Sequence, residues 1–385
     1  MLSTLAAVLV GTAGALTLVG IAIIAIRFCI WRSRSVSRTS ETNSSDPSLQ
    51  VGQNIELPLR GGISYPSDIQ GARCFLLEEL NQATKNFSDI NLIGAGKFGE
   101  VYKGLLPDMI VAIKRRPSAP SQEFIREVQK LSSIRHRNLV TLLGYCQEND
   151  LQMLVYEYIP NGSISTHLYG TSHTSSEKLE FKHRLSIAYR AAKGLAHLHS
   201  LNPPLIHMDF KTANVLVDEN FIPKVADAGL RNLLSTNGGA STSQLTADDL
   251  FMDPGAHESK VFTEKSDVYS FGVFLLELVS GQDALQFQFV GPNQSIIEWA
   301  RNYRDSSDIS TLVDHRMASS FTAEGMRELL QLTAWCLNLS SGRRPPMSFV
   351  VSELDRIHEK EMSLTTIMGE GTPSVTLGSE LFTTS

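Results

Sequence analysis

The stretch Gly94-Ala95-Gly96-Lys97-Phe98-Gly99-Glu100-Val101 decides how this chain is read, together with the Val111-Ala112-Ile113-Lys114 that follows it. Glycines at this spacing let a backbone approach phosphate oxygens that a Cβ would exclude. Two arrangements use them so: a dinucleotide-binding turn that opens a helix, and a hairpin that covers a nucleotide. The continuation separates them. Glu100-Val101-Tyr102 runs into Gly104 and Pro107, and a second strand pattern follows from Ile110 to Ile113. A dinucleotide turn needs a helix here and an acidic side chain about 20 residues on, at a strand end. The second strand closes on Lys114 instead. The spacing therefore predicts the hairpin.

Further along, Phe124-Ile125-Arg126-Glu127 lies on a predicted helix, and His207-Met208-Asp209-Phe210-Lys211-Thr212-Ala213-Asn214 forms a polar loop. Asp227-Ala228-Gly229, Ser266-Asp267-Val268-Tyr269-Ser270-Phe271-Gly272 and Arg343-Arg344-Pro345 complete the order. Six such elements in sequence are too many for accident, and they follow the order of the protein-kinase signature set. Leu143-Gly144-Tyr145-Cys146, Leu154-Val155-Tyr156-Glu157-Tyr158 and Asn161-Gly162-Ser163 narrow the match. From about Phe75 to Ile357 the chain resembles the plant receptor-like serine/threonine kinases of the Pelle-related class. The resemblance implies an α+β, bilobal protein kinase fold over 75–360. A small antiparallel-sheet N-lobe with one regulatory helix (about 87–159) would precede a larger helical C-lobe (about 160–360).

The resemblance also implies roles, position by position. Ile93, Gly94, Ala95, Gly96 and Gly99 belong to the loop over ATP, and Val101, Ala112 and Leu216 would sandwich its adenine. Tyr156 stands at the gatekeeper position, with Glu157 and Ile159 offering backbone hydrogen bonds at the hinge. Lys114, held by Glu127, would bind the α- and β-phosphates. Asp209 would orient a substrate hydroxyl and Lys211 would neutralise the transferring phosphoryl group. Asn214 and Asp227 would hold Mg²⁺, or Mn²⁺ in its place, through hard oxygen donors. Lys211 two residues after Asp209 is the serine/threonine arrangement.

Four positions depart from the pattern. Met208 replaces the Arg that pairs with an activation-loop phosphate, which leaves no cation from that position to read one. Ala228 replaces a Phe that packs under the Glu127 helix, weakening the bias toward a Lys114–Glu127 pair. Gly255 replaces a Glu that would pair with Arg344, and Glu258 is the acid expected to serve instead. Ala247-Asp248-Asp249-Leu250-Phe251 stands where a Gly-Thr-x-Gly-Tyr segment shapes the substrate-docking loop, and Asp248 brings a negative charge toward Asp209. Two readings follow. One is a membrane-anchored kinase that transfers the ATP γ-phosphoryl group to Ser/Thr hydroxyls of protein substrates. The other is an ATP-binding pseudokinase that acts as scaffold or allosteric partner of another receptor kinase.

The remaining chain sets the context. Residues 5–26 are almost purely apolar, and as a helix they span about 33 Å against about 30 Å of bilayer hydrocarbon. Arg27, Arg32, Arg34 and Arg38 follow directly. The positive-inside rule then predicts a single-pass plasma-membrane anchor, with 1–4 outside and the kinase domain cytoplasmic. A Ser/Thr-rich linker is expected over 27–74 and a disordered tail over 361–385. Ser241, Thr242, Ser243 and Thr246 are candidate phosphorylation sites. With so little chain outside the membrane, a partner receptor kinase is expected to supply the signal. The 34 Lys and Arg against 40 Asp and Glu leave a net charge of -6, which gives no global attraction to nucleic acid. Cys29, Cys74, Cys146 and Cys336 are too scattered for a disulfide framework. Cys146 and Cys336 read as core packing.

Overall fold

The computed structural model describes residues 72–169, 179–234, 250–284, 300, 313–317 and 320–369. The anchor at 5–26, the linker to 71, His173, Ser241 to Thr246 and Asp248 lie outside these. Among the described residues no helix is long and apolar enough to cross a membrane.

The first lobe is a six-stranded sheet. In chain order its elements are β1 (Arg73–Cys74), α1 (Leu77–Thr84), β2 (Leu92–Gly96), β3 (Gly99–Leu105), β4 (Ile110–Pro117), α2 (Gln122–Ser133), β5 (Leu142–Glu148) and β6 (Leu151–Glu157), and the strand order is β1-β5-β6-β4-β3-β2. All pairs are antiparallel except β1, which runs parallel to β5 through Arg73–Gly144 and Cys74–Tyr145. That edge strand starts the lobe ahead of the expected Phe75. The glycine hairpin closes with Gly96 opposite Gly99. Gly99 has φ 140°, and a Cβ there would lie 2.1 Å from the Arg115 carbonyl oxygen, so no other residue fits. Asn149 and Asp150 turn β5 into β6 with φ of 51° and 55°, a left-handed pair that these two residue types tolerate best after glycine. Leu80 and Ala83 of α1 bury against Tyr102, Val111 and Ile113 on one face of the sheet. On the other, Phe124, Val128 and Leu131 of α2 pack with Leu142, Tyr145 and Leu154. Ser121 caps α2 by accepting from the Glu123 and Phe124 N–H groups.

The second lobe is helical: α3 (Ile164–Tyr169), α4 (Phe181–His199), the hairpin β7 (Val215–Val217) with β8 (Pro223–Val225), α5 (Leu230–Leu234), α6 (Pro254–Ser259), α7 (Glu264–Ser280), α8 (Ala323–Cys336) and α9 (Met347–Gly369). Every residue of α7 from Ser266 to Ser280 is buried, as expected for a helix apolar on all sides. A reciprocal Thr263–Ser266 capping box starts it and left-handed Gly281 ends it. Phe210, Phe271 and Phe274 meet at 5.4–5.7 Å between ring centroids and carry the loop of residues 207–214 on α7. Cys146 and Cys336 are buried. The α9 backbone continues to Gly369, beyond the Glu361 at which order was expected to end. Glu361 itself is buried and accepts the Thr322 N–H at 3.1 Å.

Arg344 corrects one expectation. Its side chain is fully buried, and its partner is Asp253 rather than Glu258, which is exposed. The guanidinium makes a fork of 2.7 and 2.8 Å to Asp253, donates to the Asn338 and Lys265 carbonyls, and sits 5.1 Å from the Tyr269 ring centroid. The reason is geometric. Asp253 already faces inward as the N-cap of α6, where it accepts the Gly255 N–H at 3.1 Å.

Candidate active site

Between the lobes lies a cleft of about 520 Å³. Ile93, Gly94, Ala95, Gly96, Gly99, Val101, Ala112, Lys114, Tyr156, Glu157, Ile159, Asp209, Lys211, Asn214, Leu216 and Asp227 all line it. Glu127 does not. Antiparallel register explains the sheet side of the wall, because Val101 pairs with Lys114 and Ala112 with Tyr156, which brings these residues to one surface. The Glu157 carboxylate is occupied by Lys224 at 2.8 and 2.9 Å and by the Thr141 N–H at 2.8 Å. Burial, and then the nearby Asp227, hold the Tyr156 hydroxyl well above its ordinary pKa.

The opposite wall is the loop of residues 207–214. Asp267 of α7 accepts the His207 and Met208 N–H groups at 2.8 and 3.0 Å, and it also meets His199 Nε2 at 2.8 Å. This clamp holds Met208 at φ 67°, a strained value for its type. The Asn214 amide donates to the Asp209 carbonyl at 2.8 Å and to its carboxylate at 3.3 Å. Lys211 Nζ is 3.4 Å from the Asp209 carboxylate. Lys97, at the tip of the glycine hairpin, crosses the cleft and reaches the same carboxylate at 2.7 Å.

The structure does not form the expected Lys114–Glu127 pair. Lys114 is bonded to Asp227. Glu127 accepts from Asn232 Nδ2 at 3.2 Å and pairs with Lys130 at 3.1 Å. The cause is α5, which begins one residue after Gly229. Its Leu230 and Leu233 enter the cluster of Phe124, Val128 and Leu131. Arg116 ties it to the sheet, donating to the Leu233 carbonyl at 3.0 Å while stacked 4.6 Å from the Phe98 ring centroid. Ala228 packs on the C-lobe core, and a Cβ at Gly229 would meet Leu131 and Leu205 at 3.0 and 3.3 Å. Leucines thus close around Gly229, beside the position where the pattern has Phe.

Lys97, Asn232 and Arg231 were not among the residues singled out from the sequence. Arg231 is placed beside Met208, donating to its carbonyl at 3.4 Å with its guanidinium 4.5 Å from the Phe262 ring centroid. A cation therefore stands near Met208 after all, supplied from α5. Only the position after Gly229 hinted at it.

These residues suit a nucleotide with a hard divalent ion. A Cβ at Gly94 or Gly96 would meet nothing within 4 Å, so the hairpin keeps open space over the cleft. Asn214 and Asp227 offer amide and carboxylate oxygens, the donors such an ion prefers. Among the described residues no set of three His, Cys, Asp or Glu gathers as a site for another metal.

A sheet lobe and a helical lobe around such a cleft define a protein kinase domain. The profile of the protein tyrosine and serine/threonine kinase family matches residues 88–354. The chain is 37% identical over 347 residues to the probable serine/threonine-protein kinase PBL21 of Arabidopsis thaliana, covering 88% of this chain and 91% of that one. It is 38% identical over 290 residues to the proline-rich receptor-like protein kinase PERK1 of the same plant, covering 73% of this chain and 44% of that one. It thus spans less than half the length of that receptor-like relative. Among solved structures, the pseudokinase domain of BIR2, an immune regulator of the RLK/Pelle family, superposes with a TM-score of 0.62 at 29% identity, covering 77% of this chain and 90% of that one. The chain belongs to the RLK/Pelle family of protein kinases.

Proposed function

We propose that this chain binds ATP with Mg²⁺ or Mn²⁺ in the interlobe cleft and acts at the plasma membrane as a pseudokinase-type partner of another receptor kinase. One observation carries this reading: the charged groups that phosphoryl transfer requires neutralise one another. Lys114 is spent on Asp227, Lys97 lies on Asp209, and Glu127 is turned to Asn232. The likeness to the BIR2 pseudokinase domain supports it, as does Ala228 where the kinase pattern has Phe. Residues 5–26 would provide the anchor.

Lys114 would bind the α- and β-phosphates once released from Asp227, and the hinge backbone at Glu157 and Ile159 would hold the base. Asn214 and Asp227 would carry the divalent ion, which when bound neutralises phosphate charge. A second reading, transfer to Ser/Thr hydroxyls of a protein substrate, is favoured by one specific feature. Asp209, Lys211 and Asn214 keep their mutual contacts, so the group that orients a hydroxyl is assembled even while Lys114 is not.

The test uses the full chain, with ATP and Mg²⁺ or Mn²⁺, against its Asp209→Asn variant. Thermal stabilisation by ATP without γ-phosphate transfer is the expected result. Transfer that disappears with Asp209 would establish the kinase reading instead. Absence of any ATP-dependent stabilisation would sink both.

A further inference from the structure

Glu277 has no part in the reading above. It lies on α7, 1% exposed, and does not line the cleft. Its carboxylate accepts from three donors: the Thr212 hydroxyl, the Tyr169 hydroxyl at 3.3 Å and the Ala284 N–H at 2.7 Å. Thr212 is also buried, and it opens the single turn Thr212–Asn214. The same turn reaches two further site residues. The Asn214 amide holds the Asp209 carbonyl, and the Asn214 carbonyl accepts the Ala226 N–H at 2.8 Å, next to Asp227. One hydroxyl–carboxylate bond therefore links the oxygen-bearing residues of the cleft to a helix buried on every side.

We infer that Glu277 is a positioning residue for the nucleotide site: its ionised carboxylate, through Thr212, fixes the turn that carries Asn214, and its protonation releases that turn. This rests on the ATP-binding reading. The chemistry follows from donor and acceptor counts. An ionised carboxylate has only acceptors and matches three donors, whereas a protonated one sets a fourth hydrogen against them. Burial pushes the Glu277 carboxyl up to about 7, Asp283 acts in the same direction, and the bonds from Thr212, Ala284 and Tyr169 oppose it. Among the described residues the titratable groups facing it are Tyr169 from α3 and Asp283 just past α7. Burial, and then Glu277 itself, raise the Tyr169 hydroxyl, so Tyr169 stays a neutral donor. The change of charge thus falls on Glu277.

The experiment measures ATP affinity by calorimetry on the full chain with Mg²⁺, at pH ~6 and ~8, for the wild type, Glu277→Gln and Thr212→Val. Loss of one charge-assisted bond should weaken wild-type binding about tenfold from pH ~8 to pH ~6, down to the level of the two variants, which lack that bond at both pH values. Titration of the ATP terminal phosphate is common to all three proteins and cancels in the comparison. If Glu277→Gln does not fold, Thr212→Val decides, since it removes only the hydroxyl at nearly constant volume. A pH profile shared by all three proteins overturns the positioning role alone. So does a loss of affinity in the variants that is equal at both pH values. No ATP binding by the wild type at either pH overturns the nucleotide reading, and this inference with it.

Discussion

Asn232 Nδ2 lies 3.2 Å from Glu127 Oε1, so a side chain of α5 occupies the carboxylate that the kinase pattern reserves for Lys114. The contact spans the step from α2 to the segment after Gly229, and Leu230 and Leu233 hold the two elements together. A half-buried hydrogen bond to a carboxylate contributes about 1 kcal/mol net. Asn232→Ala should therefore leave Glu127 with the exposed Lys130 and tighten ATP binding about five-fold, measured by calorimetry. Unchanged affinity would mean that α5 packing alone sets the position of α2, and Leu233 would then be the residue to replace.

Gly255 departs from the family pattern without leaving a defect, because Asp253 already satisfies Arg344. A Cβ at Gly255 would meet nothing closer than Asp253 Oδ1 at 3.7 Å, and the position is exposed. Gly255→Glu should shift unfolding stability by no more than about 0.5 kcal/mol. Chemical denaturation checks this. A gain of several kcal/mol would show that the pattern's Glu does something Asp253 cannot.

Gly99→Ala should be among the most damaging single changes in the sheet lobe. The new Cβ would lie 2.1 Å from the Arg115 carbonyl oxygen, on a backbone at φ 140° that L side chains avoid. Neither strand can yield, because Glu100 pairs with Arg115 in the adjacent register. The expected cost is about 3 kcal/mol or more, and the glycine hairpin should lose its closed form. Normal stability together with normal ATP-dependent stabilisation would refute this.

How far the fold could be read ahead of the structure depended on whether the signal was local. The glycine hairpin carries its pattern within one stretch, and its strands stand within a few residues of their expected bounds. The cleft walls were legible for the same reason. The pairing of Glu127 was not, since it depends on a five-residue helix held by tertiary contacts to α2 and the sheet rather than by a pattern of its own. The Asp253–Arg344 pair is not legible in sequence, because Asp253 turns inward only as the N-cap of α6 while Glu258, on the helix itself, faces outward. Glu277 is a single polar residue in an apolar run, and nothing in sequence marks it as facing Thr212. β1 is two residues long and has no periodicity to detect.

Asp253 and Glu277 make opposite contributions to stability as pH changes. Burial alone would raise the Asp253 carboxyl, but the Arg344 fork and the Gly255 N–H outweigh it and hold it below the ordinary value. Its stabilisation is therefore complete above the unfolded carboxylate pKa of about 3.9 and is lost as pH falls through the lower folded value. Glu277 works in reverse. Its folded carboxyl is raised to about 7 by burial, so its contribution is full below the unfolded pKa of about 4.3 and is lost as pH rises toward the folded one. Asp253→Asn leaves Arg344 buried without its counter-charge and should cost about 3–5 kcal/mol. It should also flatten the acid limb of the stability curve while leaving the slope between pH ~5 and ~7 in place. Glu277→Gln should do the converse. Denaturant midpoints across the pH range test both variants, and an acid limb unchanged in Asp253→Asn would refute the assignment of that limb to the Arg344 pair.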